Sequence, residues 1–441
     1  MARAKKETAL TPEERLQAAL VPDWEWPYKL PENWCWLKLV ESFDNHTDSK
    51  KKIKQKDYLV KGKLAVVDQG QELIGGYTND VEKSYSGALP IVIFGDHTRC
   101  IKFVDFPFAQ GADGVKVLRP KPFYLPKAFY YALQSVNIPN LGYRRHFPLF
   151  NKFSIPLPPF TEQQRIVDRI ESLFAKLDEA KEKAQAVVDS FETRKAAILY
   201  KAFTGELTAK WREEHNISKT TWGEKKWGDF LQSIEAGKNW SAEGRPPEGT
   251  EFGVVKVSAV TWGEFDELES KTCVVAEQWN SKTQIHKGDF LFSRANTLQL
   301  VGNCVIVRNI SKRLMLSDKI LRFKFDEIAH PRFVLYFTRS RIYREQVEQL
   351  ASGNQDGMRN ISQKNLKLVS FPIPTVMEQI EIISILDRAF AKEQQAKEAA
   401  EAVLDQIDLM KKSILARAFR GELGTNNPSE ESAVELLKRV L

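Results

Sequence analysis

One long segment of this chain occurs twice, and the two copies align without a gap. The first copy begins with IPLPPFTEQQRIV at Ile155 and ends with AFTGEL at residues 202–207. The second begins with FPIPTVMEQIEII at Phe371 and ends with AFRGEL at residues 418–423. The matching residues lie 216 positions apart at both ends of the segment. Such a repeat predicts two equivalent structural units in one chain.

Each copy predicts one long helix. Proline-spaced apolar residues open both copies, and such residues cannot lie inside a helix. A capping box is predicted at residues 161–164 (Thr and Gln) and at residues 375–378 (Thr and Glu). No further glycine or proline occurs before Gly205 and Gly421, where a left-handed residue suits the end of a helix. Each helix is therefore about 40 residues long, or roughly 60 Å.

Apolar and small residues recur in both helices at alternating intervals of four and three. This period of 3.5 residues is typical of a coiled-coil seam. Two such helices in one chain most simply pack antiparallel on each other. Small residues then face each other at the centre, Ala180 opposite Ala400 and Ala184 opposite Ala396. The residues expected in the seam are Ile170, Leu177, Ala180, Ala184, Leu386, Ala396, Ala400 and Val403.

Two charged residues interrupt the seams, Arg194 in the first helix and Glu393 in the second. We expect weaker packing there. The antiparallel pair would carry a pseudo-twofold axis through the central alanines. The alternative is that the helices are two independent pieces, each docked on its own domain.

The chain before each helix predicts a mixed α/β domain. Short apolar runs indicate strands at residues 64–67, 91–94, 254–257, 290–293, 304–307 and 321–325. A proline-opened aromatic helix follows in each domain, PKAFYYALQ from Pro126 and PRFVLYFTR from Pro331. The two domains share the order of their elements, but most of their residues differ. We therefore expect both domains to have the same fold and to bind different ligands. The fold class is α+β: two mixed α/β domains separated by an antiparallel coiled coil of two long helices, in a pseudo-twofold tandem repeat.

Polar loops in both domains combine Arg, Asn, Gln, His and Tyr, whose side chains can contact base edges and phosphates. A polar loop is also commonly a plain turn. The candidate DNA-binding residues are Gln69, Tyr77, Thr78, Asp96, His97, Thr98, Arg99, Tyr143, Arg144, Arg145 and His146 in the first domain, and Ser293, Arg294, Asn296, Lys319, Asn354, Gln355, Arg359 and Asn360 in the second.

Composition narrows the class of protein. Hydrophobic residues make up 42% of the 441, enough for folded cores, and the net charge of +7 is compatible with nucleic acid without requiring it. The four cysteines form no CxxC pair, so a zinc site is not expected, and reduced thiols in a cytoplasm are the simpler interpretation. We expect no secretory signal and no membrane span, because no apolar segment of either kind occurs.

No motif in the sequence supports a catalytic function. The segment LPPF at residues 157–160 resembles a motif of amino-directed DNA methyltransferases, but Leu157 has no polar atom with which to accept a hydrogen bond. No GxGxxG follows a strand and no Walker motif occurs, so neither a nucleotide nor S-adenosylmethionine site is supported. Adjacent residues in the Asp96-His97-Thr98 segment point apart, so they do not form a triad. We predict a chain that is not an enzyme, with no catalytic and no metal-binding residues.

The whole arrangement resembles the specificity (S) subunit of type I DNA restriction–modification enzymes. The resemblance rests on PLPPFTEQQRIV with KAFTGEL, on PIPTVMEQIEII with RAFRGEL, and on GDFLFSRAN and LSDKILRF at residues 288–296 and 316–323. It covers nearly the whole chain. It implies two target recognition domains, each reading one half of an asymmetric bipartite DNA sequence, and a helical spacer that fixes the distance between the halves.

The resemblance also implies partners: double-stranded DNA, two methylation (M) subunits docked on the helices, and two restriction (R) subunits. No cofactor is expected on this chain, whereas the partner subunits would use S-adenosylmethionine, ATP and Mg²⁺. The location would be the cytoplasm of a bacterium or archaeon. The predicted boundaries are an N-terminal arm (1–21), the first recognition domain (22–159), the first long helix with its linker (160–222), the second recognition domain (223–374), the second long helix (375–424) and a tail with a short helix (425–441).

Two other functions stay open from the residues alone. The first is a non-catalytic coiled-coil scaffold with two protein-binding domains, which the modest net charge permits. The second and weaker one is a metal nuclease that acts alone.

Overall fold

The protein forms two compact units. The structure, a computed structural model, describes residues 11–111, 114–355 and 358–440. The first unit comprises Met1–Ala184 with Ala402–Leu441, and the second comprises Gln185–Glu401. The described helices are α1 (Pro12–Ala19), α2 (Pro126–Ser135), α3 (Phe160–Asp189), α4 (Phe191–Phe203), α5 (Ala209–Glu214), α6 (Pro331–Thr338), α7 (Arg341–Leu350), α8 (Gln363–Leu366), α9 (Val376–Ala418) and α10 (Ala433–Val440).

The first mixed domain contains three small sheets. Its described strands are β1 (Cys35–Lys38), β2 (Phe43–Asn45), β3 (Leu64–Val67), β4 (Gly76–Thr78), β5 (Ile91–Gly95), β6 (Ile101–Val104), β7 (Phe108–Gln110), β8 (Val115–Pro120) and β9 (Ser154–Leu157). They pair in the orders β2-β8-β5-β6, β4-β3-β7 and β1-β9. The β3–β7 pair is parallel and the other pairs are antiparallel.

The second mixed domain repeats this topology with additions. Its described strands are β10 (Gly223–Lys226), β11 (Leu231–Ala236), β12 (Ala242–Glu243), β13 (Phe252–Val255), β14 (Ser270–Cys273), β15 (Phe290–Ser293), β16 (Ala295–Asn296), β17 (Cys304–Ile306), β18 (Arg313–Met315), β19 (Ile320–Phe325), β20 (Ser352–Gln355), β21 (Met358–Asn360) and β22 (Ser370–Ile373). The orders β11-β19-β15-β17, β14-β13-β18 and β10-β22 correspond strand for strand to the first domain. The prediction of one shared fold is therefore confirmed.

The apolar runs identified in the sequence are the buried strands of these sheets. Strand β5 is buried along its whole length, as is β15 in the second domain. The aromatic helices α2 and α6 begin at Pro126 and Pro331 as predicted, and both cover their sheets with buried aromatic side chains. Continuous apolar strands of this kind pack on both faces, which gives each domain its core.

The long helices run antiparallel within each unit. In the first unit, Lys411 of α9 pairs with Asp178 of α3 at 2.5 Å, and the tail after α9 reaches Arg165 near the start of α3. In the second unit, Arg194 of α4 pairs with Glu393 of α9, and Arg212 after α4 pairs with Glu378 near the start of α9. The opposed chain directions confirm the antiparallel arrangement. The predicted central alanine contacts join residues of different units and stay a prediction.

The first long helix is interrupted, which the sequence did not reveal. It divides into α3 and α4 at Ser190, whose hydroxyl donates a hydrogen bond to the Ala186 carbonyl at 2.5 Å. The guanidinium of Arg194 donates to the Val187 carbonyl at 3.1 Å. The Ser190 backbone N–H still donates to the Ala186 carbonyl at 3.1 Å, so the side chains share carbonyls with the backbone ladder at this interruption, which occurs without a proline or glycine. The second helix, α9, is continuous over 43 residues.

Burial corrects part of the predicted seam. Ile170 and Leu386 are fully buried, Ala184 and Ala400 are buried, and Leu177 and Ala180 are half-buried. Ala396 and Val403 are exposed, so they do not lie in the buried seam. The positions one residue further along, Lys397 and Leu404, are half-buried, and the Lys397 ammonium lies 4.9 Å from the centroid of the Phe191 ring. Selecting seam residues by hydrophobicity misses a lysine that packs on an aromatic ring.

The helix ends follow the predictions only in part. Thr161 lies inside α3 and donates to Glu430 instead of capping, so the first capping box is wrong. Thr375 precedes α9 and accepts from the Glu378 backbone N–H at 3.4 Å, which is half of the second box. Gly205 and Gly421 have positive φ angles of 80° and 75° and confirm the left-handed ends.

Candidate nucleic-acid interface

Three loops of the first domain meet around Gln69. The backbone N–H of His97 donates to Gln69 Oε1 at 3.2 Å, and the Thr98 hydroxyl donates to the Gln69 carbonyl at 2.6 Å. The ring of His97 stacks on Tyr143, with centroids 4.9 Å apart and planes 17° apart. Tyr143 is 87% exposed. The cluster therefore presents a flat aromatic surface to solvent, bordered by the exposed Arg144 and Arg145.

Two of the predicted residues, Asp96 and His146, are buried and fix the backbone of the loop that carries this cluster. Asp96 and His146 are buried, and Asp96 Oδ1 accepts the backbone N–H groups of His146 at 2.9 Å and Phe147 at 2.7 Å. His146 Nε2 accepts from the Leu141 backbone N–H at 3.0 Å, so Nδ1 carries the proton and donates to the Asp96 carbonyl. The two residues fix the loop that carries Tyr143, and their own side chains are turned away from solvent.

The other candidates of the first domain lie around this cluster or on the second sheet. Arg99 has a φ of 61° and its guanidinium donates to the Ile138 carbonyl at 3.0 Å. Tyr77 and Thr78 belong to β4, where Tyr77 is half-buried. Thr78 is buried and its hydroxyl accepts from the Asp80 backbone N–H. Both lie on the strand that pairs with β3, and Gln69 follows the end of β3.

The second domain gathers its candidates on a three-stranded sheet that the first domain lacks among its described strands. In the order β16-β21-β20, Asn296 lies opposite Arg359 and Ala295 lies opposite Asn360. Arg294, just before β16, donates its backbone N–H to the Lys319 carbonyl at 2.9 Å. The sheet thus brings together Arg294, Asn296, Lys319, Arg359 and Asn360, which are half-buried.

Among the three remaining candidates of that domain, Ser293 does not reach this surface. Ser293 is fully buried at the end of β15. Asn354 and Gln355 belong to β20, but their side chains lie outside the described residues. Residues 356–357, between β20 and β21, also lie outside them.

A repeated glutamine joins each domain to its long helix, and sequence reasoning gave it no role. Gln163 Nε2 donates to the carbonyls of Phe123 and Pro158 at 2.9 and 3.0 Å, and its Oε1 accepts from the Leu125 N–H at 2.7 Å. The side chain is fully buried just under the start of α2. This set of three contacts to main-chain atoms is called the glutamine joint below.

The second unit repeats the glutamine joint. Gln379 donates to the Ile328 and Pro374 carbonyls at 2.7 and 2.9 Å and accepts from the His330 N–H at 2.8 Å. The signal available in the sequence was the Glu-Gln pair that both copies share. A buried amide uses its donors and its acceptor at once, so the two joints place α2 and α6 identically on their helices.

The glutamate beside each glutamine is also fully buried, and each binds the segment that comes after the opposite helix end in its unit. Glu378 accepts from Thr208, Arg212 and Trp222 at 2.6 to 2.9 Å. Glu162 accepts from Thr425 at 2.5 Å and from Arg165 at 3.0 Å. The tail after α9 therefore binds the buried Glu162 of the first unit. The linker after α4 binds the buried Glu378 of the second unit in the corresponding way.

A cleft with matching residues occurs in each unit, between the domain and the helices. In the first unit the ring of Phe174 meets Tyr131 edge-on at 5.9 Å, under the Lys411 ammonium at 5.1 Å. In the second unit Phe390 meets Tyr336 edge-on at 5.7 Å and Lys195 lies 5.8 Å away. The phenylalanines and the lysines are each 216 positions apart, so the duplicated cleft is made by the repeat itself.

Reactive groups are buried or dispersed. Burial raises the pKa values of the Cys35 and Cys304 thiols to about 12, so both stay protonated at neutral pH. Among residues 11–111, 114–355 and 358–440, no three His, Cys, Asp or Glu side chains are grouped so as to hold a metal ion. In the same part of the chain no helix has the length and apolar character needed to cross a membrane.

Comparisons with known proteins agree with this geometry. The family described as type I restriction modification DNA specificity domain matches residues 31–188 and 219–402. The chain is 27% identical over 304 residues to the type I restriction enzyme EcoKI specificity subunit of Escherichia coli (strain K12), covering 66% of this chain and 64% of that protein. It is 23% identical over 301 residues to the StySPI specificity subunit of Salmonella potsdam, with the same two coverages. The chain thus aligns with just under two thirds of the length of these relatives.

A solved structure shares the fold. It is the crystal structure of an HsdS subunit from Thermoanaerobacter tengcongensis, with a TM-score of 0.57 and 18% identity, and the match covers 90% of this chain and 100% of that one. Each of the two family matches spans one mixed domain and part of the long helix after it. Because the matches cover most of the chain, the protein belongs to the family of type I restriction modification DNA specificity domains and carries that domain twice.

Proposed function

We propose that this chain is the DNA sequence-specificity subunit of a type I restriction–modification complex. Each mixed domain reads one half of an asymmetric bipartite DNA target, and the helices set the spacing between the halves. The observation that carries the proposal is that one fold occurs twice with different polar side chains at its surface: the stacked His97 and Tyr143 in one domain, and the half-buried Asn296 and Arg359 in the other. To read two different half-sites, the two domains need the same fold but different side chains where they contact the bases.

The duplicated cleft supports two identical partners. Because equivalent Phe and Lys residues line it in both units, one partner protein can bind at both in the same way. In the proposed function these partners are two methylation subunits, and two restriction subunits complete the complex. Methylation with S-adenosylmethionine, and ATP- and Mg²⁺-dependent restriction, belong to those subunits. This chain binds no cofactor and is not an enzyme, and it works in the cytoplasm of a bacterium or archaeon.

The experiment is selection from a duplex library by the chain with its methylation subunit. We expect an interrupted sequence preference with two unlike halves. Tyr143→Ala with Arg144→Ala should relax only one half, and Arg359→Ala only the other, by about 1–3 kcal/mol for each specific interaction with a base that is removed. Exchange of residues 22–159 for the first domain of another family member should replace one half and leave the second unchanged.

Absence of any sequence preference would refute the proposal and favour the alternative, a scaffold with two protein-binding domains. Relaxation of both halves by a single-domain variant would refute the division of labour. The salt dependence of binding separates the classes, since DNA binding weakens steeply with ionic strength.

A further inference from the structure

One short segment of the first domain contains much of the positive charge of the protein. Residues 46–63, between β2 and β3, include seven lysines and two aspartates, a net charge of +5 in a chain whose total is +7. We call this segment the basic lobe. Its lysines that are exposed are Lys50, Lys54, Lys56, Lys61 and Lys63.

The basic lobe is anchored to the domain through its backbone and through the side chains of Ile53, Tyr58 and Lys51. Ile53 is buried against the small core around β3, and its N–H donates to the Gln110 carbonyl at 2.9 Å. Leu59 and Tyr77 exchange two backbone hydrogen bonds at 2.8 and 2.9 Å. Asp48 accepts from the Lys50 N–H at 2.8 Å, so one of the two acids serves as a helix cap. The exposed lysines therefore project from a fixed segment.

The exposed lysines are not neutralised within the protein. Among the residues that the structure describes, none of the five forms an ion pair with an acidic side chain, although ion pairs are frequent elsewhere in the chain. Lys83 adds to the charge, because its ammonium lies 2.8 Å from the Lys50 carbonyl. Unpaired ammonium groups on one segment raise the local positive potential and attract an anionic partner.

The equivalent segment of the second domain has the opposite character. Residues 237–251, between β11 and β13, contain two basic and three acidic residues. Arg245 is paired with Glu251 at 2.7 Å and with Glu243 at 3.1 Å. The two domains share their strand order, so the basic lobe is an addition to one domain and not a property of the fold.

We propose that the basic lobe binds DNA phosphates beside the half-site read by the first domain. The inference rests on the proposed function and adds a sequence-independent contact that only one domain makes. Lysine is a mobile point charge suited to phosphates and carries no base specificity. A protein that docks alike on both units would find no equivalent surface in the second, so the asymmetry favours DNA over such a partner.

The test is the salt dependence of binding by the full chain to a random-sequence 40-bp duplex. We compare wild type with a variant carrying Lys54→Gln, Lys56→Gln, Lys61→Gln and Lys63→Gln. Each lysine that contacts a phosphate contributes about 0.9 to the slope of log affinity against log salt, so the slope should become shallower by up to ~3.6. The same four positions changed to Arg should keep the wild-type slope, which separates charge from folding.

The matched control carries Lys176→Gln, Lys181→Gln, Lys201→Gln and Lys392→Gln, four exposed lysines of the long helices. It lowers the net charge equally and should change the slope by less than the lobe variant. Equal slopes for the lobe variant and wild type would overturn the inference, as would loss of methylation-subunit binding with unchanged DNA binding. A shallower slope without any sequence preference in the library selection would instead leave the inference standing and refute the proposed function.

Discussion

Arg194 Nε lies 2.7 Å from Glu393 Oε2, so the two charged interruptions of the helical seams are partners of each other. The sequence predicted weaker packing at these positions, but the ion pair corrects that expectation. Neither side chain is fully exposed, since 32% and 21% of their surfaces remain accessible. Within the second unit, this partly buried ion pair compensates for the two apolar residues that the seam lacks at positions 194 and 393.

A charge-swap series tests this pair. Arg194→Glu and Glu393→Arg should each destabilise the protein by about 1 kcal/mol, because each places like charges together. The double swap should recover most of the loss in urea unfolding followed by circular dichroism. If the double variant is as unstable as the sum of the single variants, the pair makes no net contribution.

The glutamine joint predicts an unusual order of substitutions at position 163. Gln163→Glu should be more damaging than Gln163→Met, although Glu is nearer in shape. Glutamate cannot donate to the Phe123 and Pro158 carbonyls and would bury a charge among acceptors, whereas Met removes the polar group altogether. We expect a loss of about 2–3 kcal/mol for Met and more for Glu, measured as thermal midpoints at pH 7. The reverse order would contradict the assigned contacts.

Removal of one partner from the buried pair in the second unit should be costly. Arg212 and Glu378 are 6% and 0% exposed, with 2.6 Å between Nη1 and Oε1. Arg212→Leu leaves a buried carboxylate without its cation, which typically costs about 3–5 kcal/mol. Arg212→Leu combined with Glu378→Gln should recover part of this loss. A single variant as stable as wild type would show that water or another group replaces the arginine.

The tail that follows α9 should make stability depend on acid pH. Hydrogen bonding to Arg165 holds the pKa of the Glu430 carboxyl below its usual value of 4.5. A lowered folded-state pKa adds stability that is present above about pH 4.5 and is lost as the pH falls through the folded value. Glu430→Gln should therefore lower the thermal midpoint at pH 7, and its difference from wild type should shrink as the pH falls below 4.5 through the lowered pKa of Glu430. A difference independent of pH would exclude titration of Glu430 as the cause.

The repeat predicted the architecture because it constrains both copies at once. The long helices, the aromatic helices from Pro126 and Pro331, and the buried strands all follow from periodicity and proline position. The interruption at Ser190 did not, because it depends on a side chain turning back to a carbonyl within the helix. The exposure of Val403 did not either, because hydrophobicity alone does not show which face of a helix is covered.

The candidate interface was predictable only as a collection of loops. Composition identified His97 and Tyr143 but could not show that they stack. It equally identified Asp96 and His146, whose polar groups turn inward, because a residue type does not reveal which way a loop faces. The basic lobe has a clear signal, seven lysines in 18 residues, which a search for base-reading side chains passes over.

The glutamine joint has a consequence for how new specificities arise. Gln163 and Gln379 hold their domains only through carbonyl and N–H groups, which every sequence of the same backbone supplies. This part of the attachment therefore tolerates exchange of a domain's surface side chains, whereas the apolar contacts of Ile166 and Ile382 with the domain cores depend on the side chains that they meet. Under the proposed function, selection can then change the DNA sequence that one domain reads while the glutamine joint stays constant.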